Sequence, residues 1–241
     1  MANTNLSTRI SISWPPSSPS EPTDTLVLSV NGWYVDLRVD KATGGLDWAI
    51  AGERLVDEND SSVVRFTHAL DSHGAFSTAD CGTFSTLPNG DDLEVGEMPR
   101  ADVPGAPVCA YEEVWRTLVP PVGAEGEGHC VSWVLEGRKK IVGGELVRTF
   151  LGRAGGVYLA LRQTQTVEGE GRHVQRGGEV SARREEWGVL SGWRDKYVFG
   201  PDGGSLPSMR DVGVEDQREW KQGQTVVVCG EEYVVHGLDV A

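Results

Sequence analysis

Tyr34-Val35-Asp36-Leu37-Arg38, followed by Asp47-Trp48-Ala49-Ile50 and Gly52, has a counterpart in Tyr158-Leu159-Ala160-Leu161-Arg162, followed by Glu186-Trp187-Gly188-Val189 and Gly192. Both read Tyr-aliphatic-x-Leu-Arg, then acid-Trp-small-aliphatic, then Gly. Self-similarity at this separation predicts two like domains rather than one. Side chains alternate along a strand, so in each copy Tyr and Arg share one face and Leu takes the other. The acid and the Trp lie on opposite faces of the strand that follows. The two copies predict one two-strand corner used twice.

Alternation continues outward from these segments. Arg9 to Trp14 places three apolar residues on one face, Thr25 to Val30 forms a second strand, and Asn31-Gly32 supplies a tight turn into Trp33–Val39. Leu46–Ala51 follows a Gly44-Gly45 turn. Further strands are expected at 63–69, 81–86, 92–98 and 110–119, then at 129–136, 145–151, 156–166, 178–187, 194–199, 224–229 and 231–236. Only Ser208 to Lys221 reads as helix, with Gly213 interrupting it. Many short strands separated by Gly and Asn turns indicate antiparallel sandwiches or barrels, and the repeat favours two barrels, which leave no open sheet edges. The stretch 120–128, with Pro120-Pro121 and three glycines, is the linker, which divides the chain into residues 1–122 and 123–241.

The chain has 241 residues, 39% of them hydrophobic, and a net charge of −14. Residues 1–120 carry 7 Lys+Arg against 18 Asp+Glu, and residues 121–241 carry 15 against 18. This acidity disfavours a phosphate backbone as partner and argues against nucleic-acid binding. No apolar run is long enough to span a bilayer as a helix, and the N-terminal residues have no signal-peptide pattern. Cys81, Cys109, Cys130 and Cys229 form no close zinc-type pair. They read as reduced thiols in a cytoplasmic or nuclear protein, with Cys81 and Cys109 buried and inert. The five His are scattered, so neither a metal nor a cofactor is expected.

Chemistry-bearing candidates are few. Arg38 with Asp47, and Arg162 with Glu186, are expected to meet, either as ion pairs closing each barrel or as groups that orient a ligand. Trp33, Trp48 and Trp187 are candidates for an apolar pocket wall or for core. Trp33 and Arg38 lie on opposite strand faces, so only one of them points into a barrel. Nucleophile elbows, zinc-protease motifs and phosphate loops are absent from the sequence, so no catalytic residue is assigned. Asp91-Asp92-x-Glu94 reads as a solvated acidic loop. The Pro-x-x-Pro segments over 16–22 and the acid-flanked Ser61 and Ser62 suit recognition by a partner or a kinase.

Ser7-Thr8-Arg9-Ile10-Ser11-Ile12-Ser13-Trp14, then Pro19 through Leu28, Leu46-Asp47-Trp48-Ala49-Ile50-Ala51-Gly52, and Tyr111-Glu112-Glu113-Val114-Trp115-Arg116 together resemble a fungal family. It is the Hri-type family, named for interaction with the yeast casein-kinase-1 homologue. The resemblance covers residues 7–118 and extends more loosely through Glu179–Trp187 and Glu231–Val235. It implies an all-β protein of two tandem antiparallel lipocalin-like, nitrobindin-like β-barrels in cytoplasm or nucleus, associated with a casein-kinase-type protein kinase. Three functions are therefore weighed: a non-enzymatic kinase partner or substrate, a binder of a small apolar ligand inside a barrel, and an isomerase or cyclase using Asp36 or Asp47.

Overall fold

A computed structural model describes residues 4–100, 103–168, 173–212 and 217–241. The first half contributes β1 (Thr4–Ser13), β2 (Thr23–Val30), β3 (Trp33–Asp40), β4 (Leu46–Val56), β5 (Val63–Phe66), β6 (Leu70–Asp71), β7 (Asp80–Thr86), β8 (Asp92–Pro99) and β9 (Val108–Leu118). The second half contributes β10 (Val131–Gly137), β11 (Lys140–Val142), β12 (Glu145–Ala154), β13 (Val157–Glu168), β14 (His173–Gly177), β15 (Ser181–Gly188), β16 (Gly192–Phe199), β17 (Thr225–Val228) and β18 (Glu231–Val240). The expected strands are all present. β6, β11 and β14, each of five residues or fewer, were not expected.

Antiparallel pairing runs β3-β2-β1-β9-β8-β7-β5-β4 and returns through β3–β4, so eight strands close into a barrel, with β6 added on β4. The β2–β3 hairpin turns on Asn31 and Gly32, both at positive φ (50° and 82°), which matches the twist of the flanking strands. The second half forms a separate antiparallel sheet in the order β16-β15-β13-β12-β10-β18-β17, with β11 and β14 on its flanks. The helix expected over 208–221 is corrected in part. Residues 209–212 are turn and bend, because the backbone N–H of Met209 and the hydroxyl of Ser208 are taken up by buried Glu185, and only 217–218 of this stretch are helical among the described residues. Residues 213–216 lie outside the described residues. Cys81, expected to be buried, is exposed on β7.

The main hydrophobic core lies between the two halves. Leu28, Val35, Leu37 and Ala51, on the outer face of the barrel, pack against Phe150, Leu159, Leu161 and Ala182 of the second sheet. Each large aliphatic or aromatic side chain buried this way contributes about 1.5–3 kcal/mol. Gly237 on β18 runs against the Val30 backbone, where a Cβ would collide with the carbonyl oxygen. Polar ties cross the same boundary. Gln163 Nε2 donates to the Asp71 carbonyl at 2.8 Å, Gln165 Nε2 donates to Ala69 O at 2.9 Å, and Arg184 pairs with Asp24 at 3.1 Å.

The repeated segments occupy equivalent faces. Val35 and Leu37 on β3, and Leu159 and Leu161 on β13, point into this shared core. Tyr158 and Ala160 point the other way, into a second core with Trp133, Leu151 and Tyr233. On β3 the corresponding face carries Tyr34, Asp36 and Arg38, and it looks into the barrel.

Candidate functional site

With the aliphatic face of β3 facing outward, the barrel interior is left to its polar face. Strand alternation delivers Tyr34, Asp36 and Arg38 from β3, Trp48 and Ile50 from β4, Glu94 from β8, and Tyr111, Glu113 and Trp115 from β9. They surround a cavity of about 120 Å³. At the end of the barrel capped by residues 14–22 it meets a vestibule of about 790 Å³, which shares Arg38, Trp48, Asp80 and Met98 with the inner cavity.

Arg38 is the central group. Its Nε and Nη2 donate to Asp36 Oδ2 at 3.0 and 2.8 Å, and Nη1 lies 3.6 Å from Glu113 Oε1. Its guanidinium sits over the Trp48 ring at 4.7 Å and the Trp115 ring at 5.7 Å, in cation–π range of both. Burial opposes the charge, but Asp36 and Glu113 outweigh it and raise the guanidinium pKa further. Glu113 also accepts from Arg9, which is itself bound to Glu21 and Thr23.

Glu94 is buried as well. Tyr111 Oη donates to one carboxylate oxygen at 2.7 Å and Trp115 Nε1 to the other at 2.8 Å. Burial, reinforced by the Glu113 charge, pushes its pKa up to about 7 against those hydrogen bonds and Arg38. Gly82 makes room for it, since a Cβ there would collide with the Glu94 carboxylate, and a Cβ at Gly96 would stand 2.8 Å from the Tyr111 hydroxyl.

At the vestibule a second cluster forms around Asp71. It accepts from Trp48 Nε1 at 2.9 Å, from the His68 Nδ1 side at 2.8 Å and from the His73 backbone N–H at 2.7 Å. The His73 ring stacks on Trp48 at 4.8 Å. His68 Nε2 lies 3.2 Å from Asp80 as an ion pair rather than a well-aligned hydrogen bond. Burial works against a charged His68, but Asp71 and Asp80 together raise its pKa to about 9.

Of the residues singled out by sequence, the structure brings Arg38 and Trp48 into the cavity and leaves Trp33, Arg162 and Trp187 outside it. Trp33 stacks on His236 at 3.7 Å in the seam between the halves. Trp187 packs edge-on to Trp193 at 5.7 Å. Arg162 bonds Glu231 at 2.6 Å and Thr149 at 3.0 Å. Both expected acid pairings are corrected. In the β3–β4 register Arg38 faces Trp48, and Asp47, one residue off, is exposed at the rim. In the β13–β15 register Arg162 faces Ser181 while Glu186 faces Val157, and Glu186 pairs with Arg184 and Lys196 instead.

The acidic stretch expected to be solvated is also corrected, because Asp91 and Glu94 are each 5% exposed. Asp91 turns outward to Arg116, whereas Glu94 turns inward. Tyr111, Glu113, Trp115 and Glu94 were not singled out as site residues, and the alternation of Tyr111, Glu113 and Trp115 along one strand is the signal that points to them. Ser61 is exposed and Ser62 is bonded to Asp60 at the β4–β5 turn.

A closed antiparallel barrel with a charged and aromatic interior, backed by a second sheet, defines an all-β protein with a cavity inside its first half. The family model described as Protein HRI1 matches residues 5–236, and the chain belongs to that family. The crystal structure of an uncharacterized protein from Saccharomyces cerevisiae is similar over 98% of this chain and 99% of that one, with a TM-score of 0.69 at 16% identity, a likeness of fold. No curated protein sequence matches the chain. No helix among the described residues is long and apolar enough to cross a membrane.

Proposed function

We propose that the protein is a non-enzymatic binder of a small molecule, taken up through the vestibule into the first barrel. The observation that carries this reading is the inversion of the barrel. Most of its aliphatic residues pack outside it, and mainly charged and aromatic residues surround an internal space with an opening. The wall suits a polar ligand with an aromatic or aliphatic body, in place of the wholly apolar ligand that a lipocalin-like barrel suggests. Arg38 and Trp48 are the binding residues kept from the sequence reading, and Tyr111, Glu94 and Trp115 join them. Trp33, Arg162 and Trp187 are assigned to packing. Of the two carboxylates weighed for isomerase or cyclase chemistry, Asp47 stands at the rim and Asp36 is engaged by Arg38, an arrangement that favours binding. Native mass spectrometry against a metabolite library tests the reading. A retained ligand lost on Trp48→Ala supports it, and a library with no retained member sinks it.

A second reading is favoured by the β4–β5 turn. Asp57, Glu58 and Asp60 surround the exposed Ser61, and the Hri-type resemblance implies a casein-kinase-type partner. Incubation with such a kinase is expected to label Ser61 or Ser62, and undiminished labelling of a Ser61→Ala/Ser62→Ala double variant would exclude both. The division at residues 122 and 123, and descent of the second sheet from a second lipocalin-like barrel, belong to the same proposal, supported by the matching faces of β3 and β13. Cytoplasmic and nuclear residence is part of it too, and imaging of a fluorescent fusion checks it.

A further inference from the structure

Three features of the inner cavity leave it short of positive charge. Asp36 is 3% exposed and spends Oδ2 on Arg38, while no donor among the described residues reaches Oδ1. The wall holds five carboxylates, Asp36, Asp80, Asp92, Glu94 and Glu113, against the two guanidiniums of Arg38 and Arg54. Arg9 pairs with Glu113 and His68 with Asp80, but each also pairs with an acid outside the wall, Glu21 and Asp71, so counting all of them leaves the balance negative. Glu94 retains its proton to about pH 7 because it is buried and faces Glu113, which is how a carboxylate behaves where cations are short.

We propose that the cavity takes a small organic cation, a protonated amine, whose N–H groups bond Asp36 Oδ1 and whose charge is shared with Glu94. This rests on the small-molecule reading above and adds the chemical class of the ligand. Phe66, Phe84 and Tyr34 line the same space and supply an apolar wall for the body of such a ligand beside Trp48 and Trp115, each of which has one face over Arg38. A buried carboxylate oxygen without a donor bears its full desolvation cost, and a charge-assisted hydrogen bond from an ammonium removes it. An anion finds one anchor, the half-buried Arg54, and that guanidinium already feels Glu94. The acids do not assemble into a metal-ligand group among the described residues, which favours an organic ion over a metal.

The test uses the full chain and three probes of one shape: phenethylamine, 2-phenylethanol and 3-phenylpropanoate. Binding is read by calorimetry and by Trp fluorescence above pH 7, where Glu94 is charged. Phenethylamine is expected to bind about tenfold or more tighter than the other two. Asp36→Asn, and separately Glu94→Gln, should lower its affinity about tenfold and that of 2-phenylethanol by much less. The wild-type comparison requires no variant to fold. Equal or tighter binding of 2-phenylethanol or 3-phenylpropanoate overturns the cation assignment and leaves the small-molecule reading standing. Failure of all three probes, with a library ligand still held in a Trp48-dependent way, also overturns only the cation. Failure of the probes and the library together overturns both.

Discussion

Arg38 shows how much of this protein is decided by single buried charges. It holds Asp36, neighbours Glu113 and lies between two indoles, so its removal leaves Asp36 without its counter-ion and Glu113 with Arg9 alone. Breaking such a pair from one side costs about 3–5 kcal/mol, whereas removing both partners costs far less. Arg38→Met is therefore expected to destabilise strongly, and Arg38→Met with Asp36→Asn to recover part of the loss, as read from urea unfolding of the cycle. Arg38 was legible in the sequence as a special residue, but its partner was not. The pairing with Asp47 assumed contact across the hairpin, whereas the register places Trp48 opposite Arg38 and the acid comes from two residues back on the same strand.

Two titrating side chains set the pH response. His68 has a folded pKa raised to about 9 from 6.5, so its stabilisation is complete below 6.5 and is lost as pH rises through 9. Glu94 has a folded pKa raised to about 7 from 4.5, so its charge costs nothing below 4.5 and costs most above 7. Both make stability fall as pH rises. On the acid side, Asp71 has a lowered pKa: burial opposes this, but hydrogen bonds from His68 and Trp48 prevail, and the stability it gives is lost as pH falls through the folded value. Urea melts at about pH 5, 7 and 9 should rank in that order, highest first, and Glu94→Gln should flatten the step between about pH 5 and 7.

Among the elements, β8 with its neighbour β7 is the one on which the cavity depends most directly. Gly82 of β7 leaves the volume that the Glu94 carboxylate of β8 fills, in a sheet where most inward positions carry side chains. Gly82→Ala is expected to push that carboxylate off Tyr111 and Trp115, to change the Trp115 emission, and to cost about 1–3 kcal/mol as overpacking does. Strand positions were legible throughout, because period-two alternation and Gly or Asn turns survive in nearly every element. The strands that escaped, β6, β11 and β14, are too short to show a period. The helix expected near 208–221 failed where Glu185, which no local pattern reveals as buried, captures the Ser208 hydroxyl and the Met209 amide.

For the whole molecule, what alternation alone leaves open is which face of β3 is inside. Both of its faces are buried, one in the barrel and one against the second sheet, so apolar periodicity carries no label for the interior. The aliphatic face went to the seam, and the seam makes the two halves interdependent. Leu28→Ala and Leu159→Ala, one from each side, should each cost about 2–5 kcal/mol and shift a single unfolding transition rather than split it. Residues 1–122 made alone should expose a large apolar face and associate. Two separate transitions in the full chain would argue for halves that stand on their own.

The most direct test of the central claim, that the first barrel's interior is a ligand site, is to follow the indole N–H signals of the Trp residues by NMR while small molecules are added. Trp48 and Trp115 line the cavity, and Trp33 and Trp187 do not. A ligand is predicted to move the Trp48 and Trp115 signals and leave those of Trp33 and Trp187 in place. Ligands that move only Trp33 or Trp187, with the two interior indoles unaffected, would contradict it.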